Sequence, residues 1–362
     1  MVALGWATAC GEAPAPNGGS VVAARDSAER PLVDDAPTVA TAAARPRLSQ
    51  PDLPAPRRNA AIDVEPLWTA GGPDDPGRLI QPVHLLASRL GVLVSELDGA
   101  HLRVFDSRSG IQVDTIGRFG LGPGEFGRVP QLLGTYARPL AFEGPSGRIS
   151  MIGDAGIPEP SRVAAGHGWS SACQAGDGTV LLTFVGWDDD GYFLSTLGPD
   201  AALVDSFSHP IGSLKDVLPI GRQAPVLQAD DSTCVILPAY AQEFAVYRRG
   251  AIAFGSGVEP APVPQVSDGA MPGYRGARRL APETRSTHRS VTSWRGRLLI
   301  LYGGRTEHRR RLVDIYSSTL AYEATVVLPF EAAYISVSGD TLFAVGERDD
   351  EPTLAAFLLR RR

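Results

Sequence analysis

Residues 89–116 read RLGVLVSELDGAHLRVFDSRSGIQVDTI, and this stretch decides the fold. Residues 92–97 form a short strand-forming run, and Asp98-Gly99 is a hairpin turn signal. Residues 101–105 alternate apolar and polar side chains, as a half-buried strand does. After a second turn, residues 111–116 repeat that alternation. The stretch therefore predicts consecutive antiparallel strands of one small sheet.

The same theme recurs along residues 87–347: a turn rich in Gly, Asp or Ser is followed by an apolar, strand-forming run. The runs are residues 92–94, 149–152, 180–182, 234–237, 298–301 and 342–345. Forty glycines and 30 prolines in 362 residues suit many short strands and turns. We predict an all-β protein, a six-bladed β-propeller; five or seven blades would fit the count less well.

The last predicted blade, residues 332–359, lacks an outer strand. Residues 62–68 alternate like a strand and have no other partner in the sequence. We therefore expect the N-terminal strand to close the last blade, which removes a free sheet edge.

Three segments are expected along the chain. Residues 1–10 end at Cys10 after small and apolar residues, which resembles the tail of a bacterial lipoprotein signal without its basic region. Residues 11–60 are rich in Pro and Ala and predict a disordered linker. Residues 61–362 hold the propeller. This organisation indicates a cell-envelope protein that is lipid-anchored at Cys10, periplasmic or secreted; an ordinary disordered start is the alternative.

The formal net charge of −6 argues against nucleic acid as a partner, because nucleic acid requires a basic surface. No apolar stretch reaches the roughly 18–20 residues that span a bilayer. The other two cysteines, Cys173 and Cys234, lie in predicted strands of neighbouring blades. Two buried free thiols are favoured over a disulfide, since free cysteine is among the most buried residue types.

Residues 117–126 contain Gly-x-Gly-x-Gly between two predicted strands. A dinucleotide-binding motif would open a helix, so phosphate binding is not expected here. Gly120-Leu121-Gly122-Pro123-Gly124-Glu125-Phe126, with Pro130, resembles the segment between blades of NHL-like propellers. Arg103-Val104-Phe105-Asp106, with Gly110, is similar to that family's third strand and turn. The resemblance implies a six-bladed propeller with binding roles, although some such propellers are lyases or lactonases.

Candidate chemistry is sparse. The six histidines form no metal-binding motif, and neither a zinc spacing nor a nucleophile elbow is present. The acidic segment 187–192 and the basic segment 307–311 are interpreted as solvated turns rather than as a calcium site and an anion site. No metal site and no cofactor are predicted, although a divalent metal in the central channel remains an alternative.

A long insertion at residues 259–287 is the best place to look for specificity, because long loops on a rigid scaffold often carry binding. Its candidate ligand-binding residues are Tyr274, Arg275, Arg278 and Arg279. We expect a monomeric, non-catalytic protein that presents loops at one face of the ring to a protein, peptide or glycan. The alternative is a metal-dependent lyase or lactonase that uses the channel.

Overall fold

The computed structural model shows a protein built almost entirely of β-strands. The described residues are 53, 56–163, 171–176, 178–185, 192–197, 203–208, 225–260, 266–268, 278–280, 286–304 and 308–362. A single 3-10 turn, Gly144–Ser146, is the one helical element among them. No helix within these ranges is long and apolar enough to cross a membrane.

The strands form six four-stranded antiparallel sheets and one two-stranded hairpin within the described ranges. Ahead of the first sheet lies β1 (Ile62–Ala70). The first sheet contains β2 (Pro82–Ser88), β3 (Gly91–Glu96), β4 (Leu102–Phe105) and β5 (Gln112–Ile116). The second contains β6 (Gln131–Gly134), β7 (Pro139–Glu143), β8 (Arg148–Ile152) and β9 (Pro158–Val163). The third contains β10 (Ser171–Gln174), β11 (Val180–Val185), β12 (Tyr192–Leu197) and β13 (Leu203–Ser208).

The later sheets follow the same plan. The fourth contains β14 (Val226–Asp230), β15 (Thr233–Ile236), β16 (Glu243–Arg248) and β17 (Ala251–Ser256). The hairpin is β18 (Val266–Asp268) with β19 (Arg278–Leu280). The fifth sheet contains β20 (His288–Trp294), β21 (Arg297–Tyr302), β22 (Leu312–Tyr316) and β23 (Tyr322–Val327). The sixth contains β24 (Glu331–Ser338), β25 (Thr341–Arg348), β26 (Glu351–Arg361) and the returning β1.

Buried apolar side chains join each sheet to the next. Six clusters lie between consecutive sheets, and one of them packs Phe343 and Val345 of the sixth sheet against Val94 and Phe105 of the first. A single sheet cannot bury both of its faces, so stacking in a ring gives every sheet two neighbours. The molecule is a β-propeller, as the sequence predicts.

Side-chain hydroxyls tie the innermost strands together at the centre. The Ser171 Oγ accepts the Val226 N–H at 2.8 Å, and the Ser336 Oγ accepts the Ala87 N–H at 2.9 Å. The Ser290 Oγ accepts the Ile335 N–H at 3.2 Å. An innermost strand has no neighbour on its axial edge, and these bonds satisfy buried N–H groups that would otherwise be costly.

The predicted closure of the last sheet by the N-terminal strand is confirmed. β1 pairs antiparallel with β26 in a register that runs from Ile62 opposite Arg361 to Ala70 opposite Leu354. One register shift, between Pro66 and Trp68, absorbs the proline, which has no N–H to donate. The start and the end of the ring are therefore held in one sheet.

The ordered fold begins before residue 61, so the expected boundary of the linker at residue 60 is too late. Arg57 is 5% exposed, and its Nε and one terminal nitrogen each lie 2.9 Å from a carboxylate oxygen of Asp314. The Ala60 N–H donates to the Thr325 carbonyl at 2.9 Å. Composition alone misses this stretch because its contacts are made with residues far along the chain.

Cys173 and Cys234 form a disulfide, which corrects the favoured interpretation of two free thiols. Their Cα atoms are 5.8 Å apart, within the range that a disulfide requires. The bond joins the innermost strand of the third sheet to the second strand of the fourth. Both side chains are fully buried among apolar neighbours.

Two faces of the ring differ in their connections. Because strands alternate in direction, one face carries the connections between sheets and those between the second and third strands of each sheet. We call it the loop face. The opposite face carries the tight turns between the first and second and between the third and fourth strands, and we call it the turn face.

Candidate ligand-binding face

A cavity of about 400 Å³ lies on the axis of the ring. Stretches of five innermost strands, β2, β6, β14, β20 and β24, line it. His84 and Tyr334 lie at its loop-face end, and Tyr136 and Asp231 lie at its turn-face end. Propellers and barrels hold ligands at such central openings, so the cavity is the natural place to look for a site.

Three consecutive innermost strands are bulged where they leave the loop face. The pairing register shifts between Pro82 and His84 in β2, between His288 and Ser290 in β20, and between Ala332 and Tyr334 in β24. A bulge re-aims the side chains beside it, and bulges concentrate next to functional sites. Among the described residues, three neighbouring sheets share this register shift at the loop-face end, so one arc of the channel has a common local geometry.

The bulged strands bring an aromatic pair to the channel. The rings of His84 and Tyr334 have centroids 5.0 Å apart and planes tilted by 50°. Burial lowers the pKa of His84 to about 4, so the imidazole is neutral at physiological pH. Burial also raises the pKa of the Tyr334 hydroxyl, against a smaller opposite effect of Arg289. The pair thus presents uncharged rings with hydrogen-bonding groups.

The first sheet uses a buried ion pair to hold a loop-face connection. Glu96, 1% exposed, accepts the Ile80 N–H at 2.6 Å, and one of its oxygens lies 2.7 Å from the Arg103 Nε. Arg103 also donates to the Gly77 carbonyl at 3.2 Å. The approach to β2 is therefore fixed by a carboxylate and a guanidinium from inside the same sheet.

The second sheet repeats the arrangement. Glu143 accepts the Gly127 N–H at 2.6 Å and pairs with the Arg148 Nε. Arg148 also donates to the carbonyl oxygens of Leu121 and Glu125. The glycine-rich segment 117–126 therefore has a structural partner beneath it. It joins two strands without opening a helix, as the sequence predicts.

This held segment displays two apolar side chains to solvent. Phe119 is 79% exposed and Leu121 is 80% exposed, whereas Phe126 in the same segment is fully buried. The Arg118 Nε donates to the Glu125 Oε1 at 2.9 Å across the loop. Large apolar side chains exposed on a fixed loop are typical of contact surfaces.

The structure brings few of the sequence-predicted residues to this site. Cys10, Tyr274 and Arg275 lie outside the described residues. Arg278 and Arg279 lie in β19, opposite Asp268 and Ser267 of β18. The insertion at 259–287 thus contains a hairpin, and chain order places its base on the loop face.

The basic segment 307–311 is interpreted from the sequence as a solvated turn, but its described residues also make hydrogen bonds to other parts of the fifth sheet. The Arg311 Nε donates to the Leu328 carbonyl at 2.9 Å. Arg310 adopts a φ of 58°, a left-handed conformation that side chains other than glycine rarely take. Its backbone N–H donates to the Tyr302 carbonyl at 2.7 Å. Glu307 and the acidic segment 187–191 lie outside the described residues.

Within the described ranges, no three His, Cys, Asp or Glu side chains come together as a metal ion would require. His288 is 6% exposed, and burial lowers its pKa to about 4. Its ring packs edge-on against Phe244, with centroids 6.0 Å apart. His288 is therefore a neutral core side chain, while His167 and His209 lie outside the described residues.

Sequence reasoning misses the central residues of this face. Arg289 and Tyr334 stand in strands with no distinctive motif, and the register shift beside each of them is visible only in the paired sheets. The bulges leave no composition signal, because they arise from pairing between strands. The Gly303-Gly304 pair after β21 is the one local hint, since Gly303 leaves room for the Arg289 stem.

Comparison with known proteins agrees on the fold and not on an activity. No family model and no curated protein matches the chain. A putative exported protein from Bacteroides fragilis is 12% identical with a TM-score of 0.52, covering 84% of this chain and 97% of that one. At this identity the similarity shows the β-propeller fold alone.

Two enzymes are also similar in structure. Virginiamycin B lyase from Staphylococcus aureus is 11% identical with a TM-score of 0.47, covering 83% of this chain and 100% of that one. A gluconolactonase from Xanthomonas campestris is 14% identical with a TM-score of 0.48, covering 87% and 98% respectively. These values are too low to carry an argument about the chemistry of this chain.

Proposed function

We propose that this protein is a non-catalytic binding propeller of the bacterial cell envelope. Its loop face receives a protein, peptide or glycan at the channel mouth. The observation that carries the proposal is the arc of three bulged strands, β20, β24 and β2, which brings Tyr334 and His84 to one end of the axial cavity, with the charge of Arg289 acting on Tyr334. Rigid strands hold these groups in place, so little conformational entropy is lost when a ligand binds.

Two further features support binding at this face. The exposed Phe119 and Leu121 stand on a loop that a buried ion pair fixes from below. The insertion at 259–287, with its candidate residues Tyr274, Arg275, Arg278 and Arg279, begins and ends on the same face. Adaptable loops around a fixed mouth are a common way to build specificity on a β scaffold.

The finer identity of the fold is part of the proposal. We take the six four-stranded sheets as six blades, with β1 as the closing strand, and assign the chain to the broad NHL-like class. The support is the ring of six apolar clusters and the motif of residues 120–126 between the first two sheets. We expect the protein to be a monomer with no nucleic-acid partner.

The proposed location rests on Cys10 and on the disulfide. Disulfides form and persist in oxidising compartments, so the Cys173–Cys234 bond supports export. Cys10 would carry the lipid that tethers the protein, with the Pro/Ala-rich segment as spacer. Fatty-acid labelling of the protein in its host tests this: label is expected on the wild type and absent from Cys10→Ala. Equal labelling of both would exclude a lipid at Cys10.

A binding screen on purified protein tests the function itself. Wild-type protein, Tyr334→Ala and Phe254→Ala are applied to matched glycan and peptide arrays. Phe254 is a fitting control because it is 56% exposed on the outer strand β17, away from the mouth. Binding that Tyr334→Ala reduces at least tenfold and Phe254→Ala preserves is the expected result.

The same preparation tests the enzymatic alternative. Elemental analysis is expected to find no divalent metal in stoichiometric amount. One bound ion per chain, with hydrolysis or elimination of a lactone that depends on it, would replace the binding proposal. Equal array binding by all three proteins would move the site away from the loop-face mouth.

A further inference from the structure

Arg289 stands at the loop-face start of the innermost strand β20, next to Ser290 of the cavity lining. It occupies the bulge between His288 and Ser290, and its side chain is half-buried. Its stem lies against Gly303, where an added Cβ would approach the Arg289 Cγ to 2.7 Å. Among the described residues, no hydrogen bond or ion pair of its guanidinium group is found.

The charge of Arg289 acts on three neighbours from three different elements. Burial raises the pKa of the Tyr240 hydroxyl, and Arg289 opposes that effect, as it does at Tyr334. Burial lowers the pKa of Arg310, and the charge of Arg289 lowers it further. The guanidinium group is therefore close enough to two phenol groups and a second cation for its charge to act on each of them.

The backbone around these neighbours is fixed. The Thr287 N–H donates to the Ala239 carbonyl at 2.6 Å, which holds the segment before Tyr240 against the start of β20. The Arg310 carbonyl accepts the Ala332 N–H at 2.8 Å, which joins the fifth and sixth sheets. The Arg310 backbone is left-handed at this point, as it is at Arg249 and Arg295 in their turns.

The acidic groups nearby neutralise this region only weakly. Glu331 has one oxygen 3.7 Å from an Arg310 terminal nitrogen, and both side chains are partly exposed. Glu347 acts on Arg310 only through its charge. By contrast, a carboxylate oxygen lies 2.7 Å from the Arg103 Nε in the first sheet. An exposed pair at the longer distance contributes little and leaves the guanidinium group available.

We propose that Arg289 and Arg310, with the Tyr240 and Tyr334 hydroxyls, bind the oxyanion group of the ligand that the loop face receives. The inference rests on the proposed function and specifies the group of the ligand that the site binds, a carboxylate or a phosphate. Guanidinium groups match both through paired, charge-assisted hydrogen bonds. The anion is either free or part of a larger molecule, and the test separates these sources.

The test uses calorimetric titration of the purified protein with sodium phosphate, sodium acetate and trigalacturonate at low salt. At least one anion is expected to bind, with an affinity that falls as sodium chloride is raised. Arg289→Gln should weaken binding at least tenfold, and Arg310→Gln should weaken it by a smaller factor. Arg289→Lys, which keeps the charge without the planar fork, should retain part of the affinity.

The matched control is Arg249→Gln, which removes an exposed arginine from a turn-face hairpin. It should bind as the wild type does, and unchanged far-ultraviolet circular dichroism should accompany every variant. Trigalacturonate binding without acetate or phosphate binding assigns the carboxylate to a glycan, whereas binding of the simple ions assigns a free anion.

Two outcomes would overturn the inference. One is no binding by any of the three anions, and the other is equal loss in Arg249→Gln and Arg289→Gln. Array binding that Tyr334→Ala abolishes, but that neither Arg289→Gln nor added salt changes, would support the proposed function and exclude the anion site. If Tyr334→Ala leaves array binding unchanged as well, the loop-face site fails with it.

Discussion

Two pairs of arginines on the loop face have different surroundings. In the first two sheets, Arg103 and Arg148 pair with buried carboxylates and also donate to backbone carbonyls. In the fifth sheet, Arg289 and Arg310 lie near the channel mouth with at most one distant acidic partner among the described residues. The first pair stabilises loops and the second is available to a ligand. An arginine with a close, buried carboxylate therefore has a structural role, whereas an arginine without one is available to a ligand.

The largest effect on stability is expected when the ion pair of Arg148 with Glu143 is removed. Arg148→Ala leaves Glu143, 3% exposed, without its counter-charge and removes two donors to the glycine-rich segment. Loss of one partner of a buried pair costs about 3–5 kcal/mol of unfolding free energy. Urea denaturation followed by fluorescence measures it. Arg249→Ala, at an exposed turn, should stay within about 0.5 kcal/mol of wild type. Equal stability of both variants would contradict a structural role for Arg148.

The next largest effect is expected for the Cys173–Cys234 disulfide, which joins the third and fourth sheets covalently. Removing the disulfide with Cys173→Ala and Cys234→Ala should lower the unfolding free energy by about 2–4 kcal/mol, because the unfolded chain regains freedom. Cys10→Ala is the matched background, since the remaining thiols are then only these two. Thiol titration of native Cys10→Ala protein should find none. Two reactive thiols in denaturant without reductant would exclude the bond.

An effect of intermediate size concerns His288, the neighbour of Arg289 in β20. Burial lowers its folded-state pKa to about 4, below the ordinary value of 6.5. Between these values the unfolded chain binds a proton that the folded protein excludes, so stability falls as the pH drops from 6.5 toward 4. The expected loss is about 2 kcal/mol between pH 7 and pH 5.

His288→Gln removes the titration of this imidazole. Carboxylates also bind protons over this pH interval, and the variant keeps their contribution, so it is the control. The wild type should lose more stability than His288→Gln over the same interval, by urea denaturation at each pH. His84 shifts in the same direction and should behave alike. Parallel pH dependence of the wild type and His288→Gln would show that the His288 ring is not buried in its neutral form.

The smallest effect on stability is expected for a substitution of Arg289, an arginine assigned to ligand binding. Arg289→Gln removes a cation that no carboxylate compensates among the described residues, so unfolding free energy should change by no more than about 0.5 kcal/mol. A stability loss as large as that of Arg148→Ala would make Arg289 a structural arginine. It would also remove the distinction between the two pairs.

The sequence predicts the fold well because strand and turn signals are local. The turn at Asp98-Gly99 and the alternation of residues 62–68 are readable one strand at a time, and the closure by β1 follows from counting strands. The limits predicted for the last blade, residues 332–359, agree with the stretch from the start of β24 at Glu331 to the end of β26 at Arg361 within two residues at each end. Pattern arguments succeed where each strand carries its own information.

The site is harder to predict because it depends on pairing between distant strands. The bulge at Arg289 and the left-handed backbone of Arg310 appear only once the fifth and sixth sheets are assembled. The disulfide depends on a Cα separation that only the ring sets, and Arg57 is anchored by Asp314, 257 residues away. Composition points to the insertion at 259–287 for specificity, whereas the proposed site combines the strand residues Arg289 and Tyr334 with Tyr240 and Arg310 from short connections.

The claim that an oxyanion binds between Arg289 and Arg310 can be tested most directly by anomalous diffraction. Crystals of the protein soaked in sodium selenate carry an oxyanion whose selenium is located without a structural bias. A selenium peak within hydrogen-bonding reach of both guanidinium groups, absent from Arg289→Gln crystals, is the result we expect. An empty channel mouth in wild-type crystals that bind selenate elsewhere would contradict it.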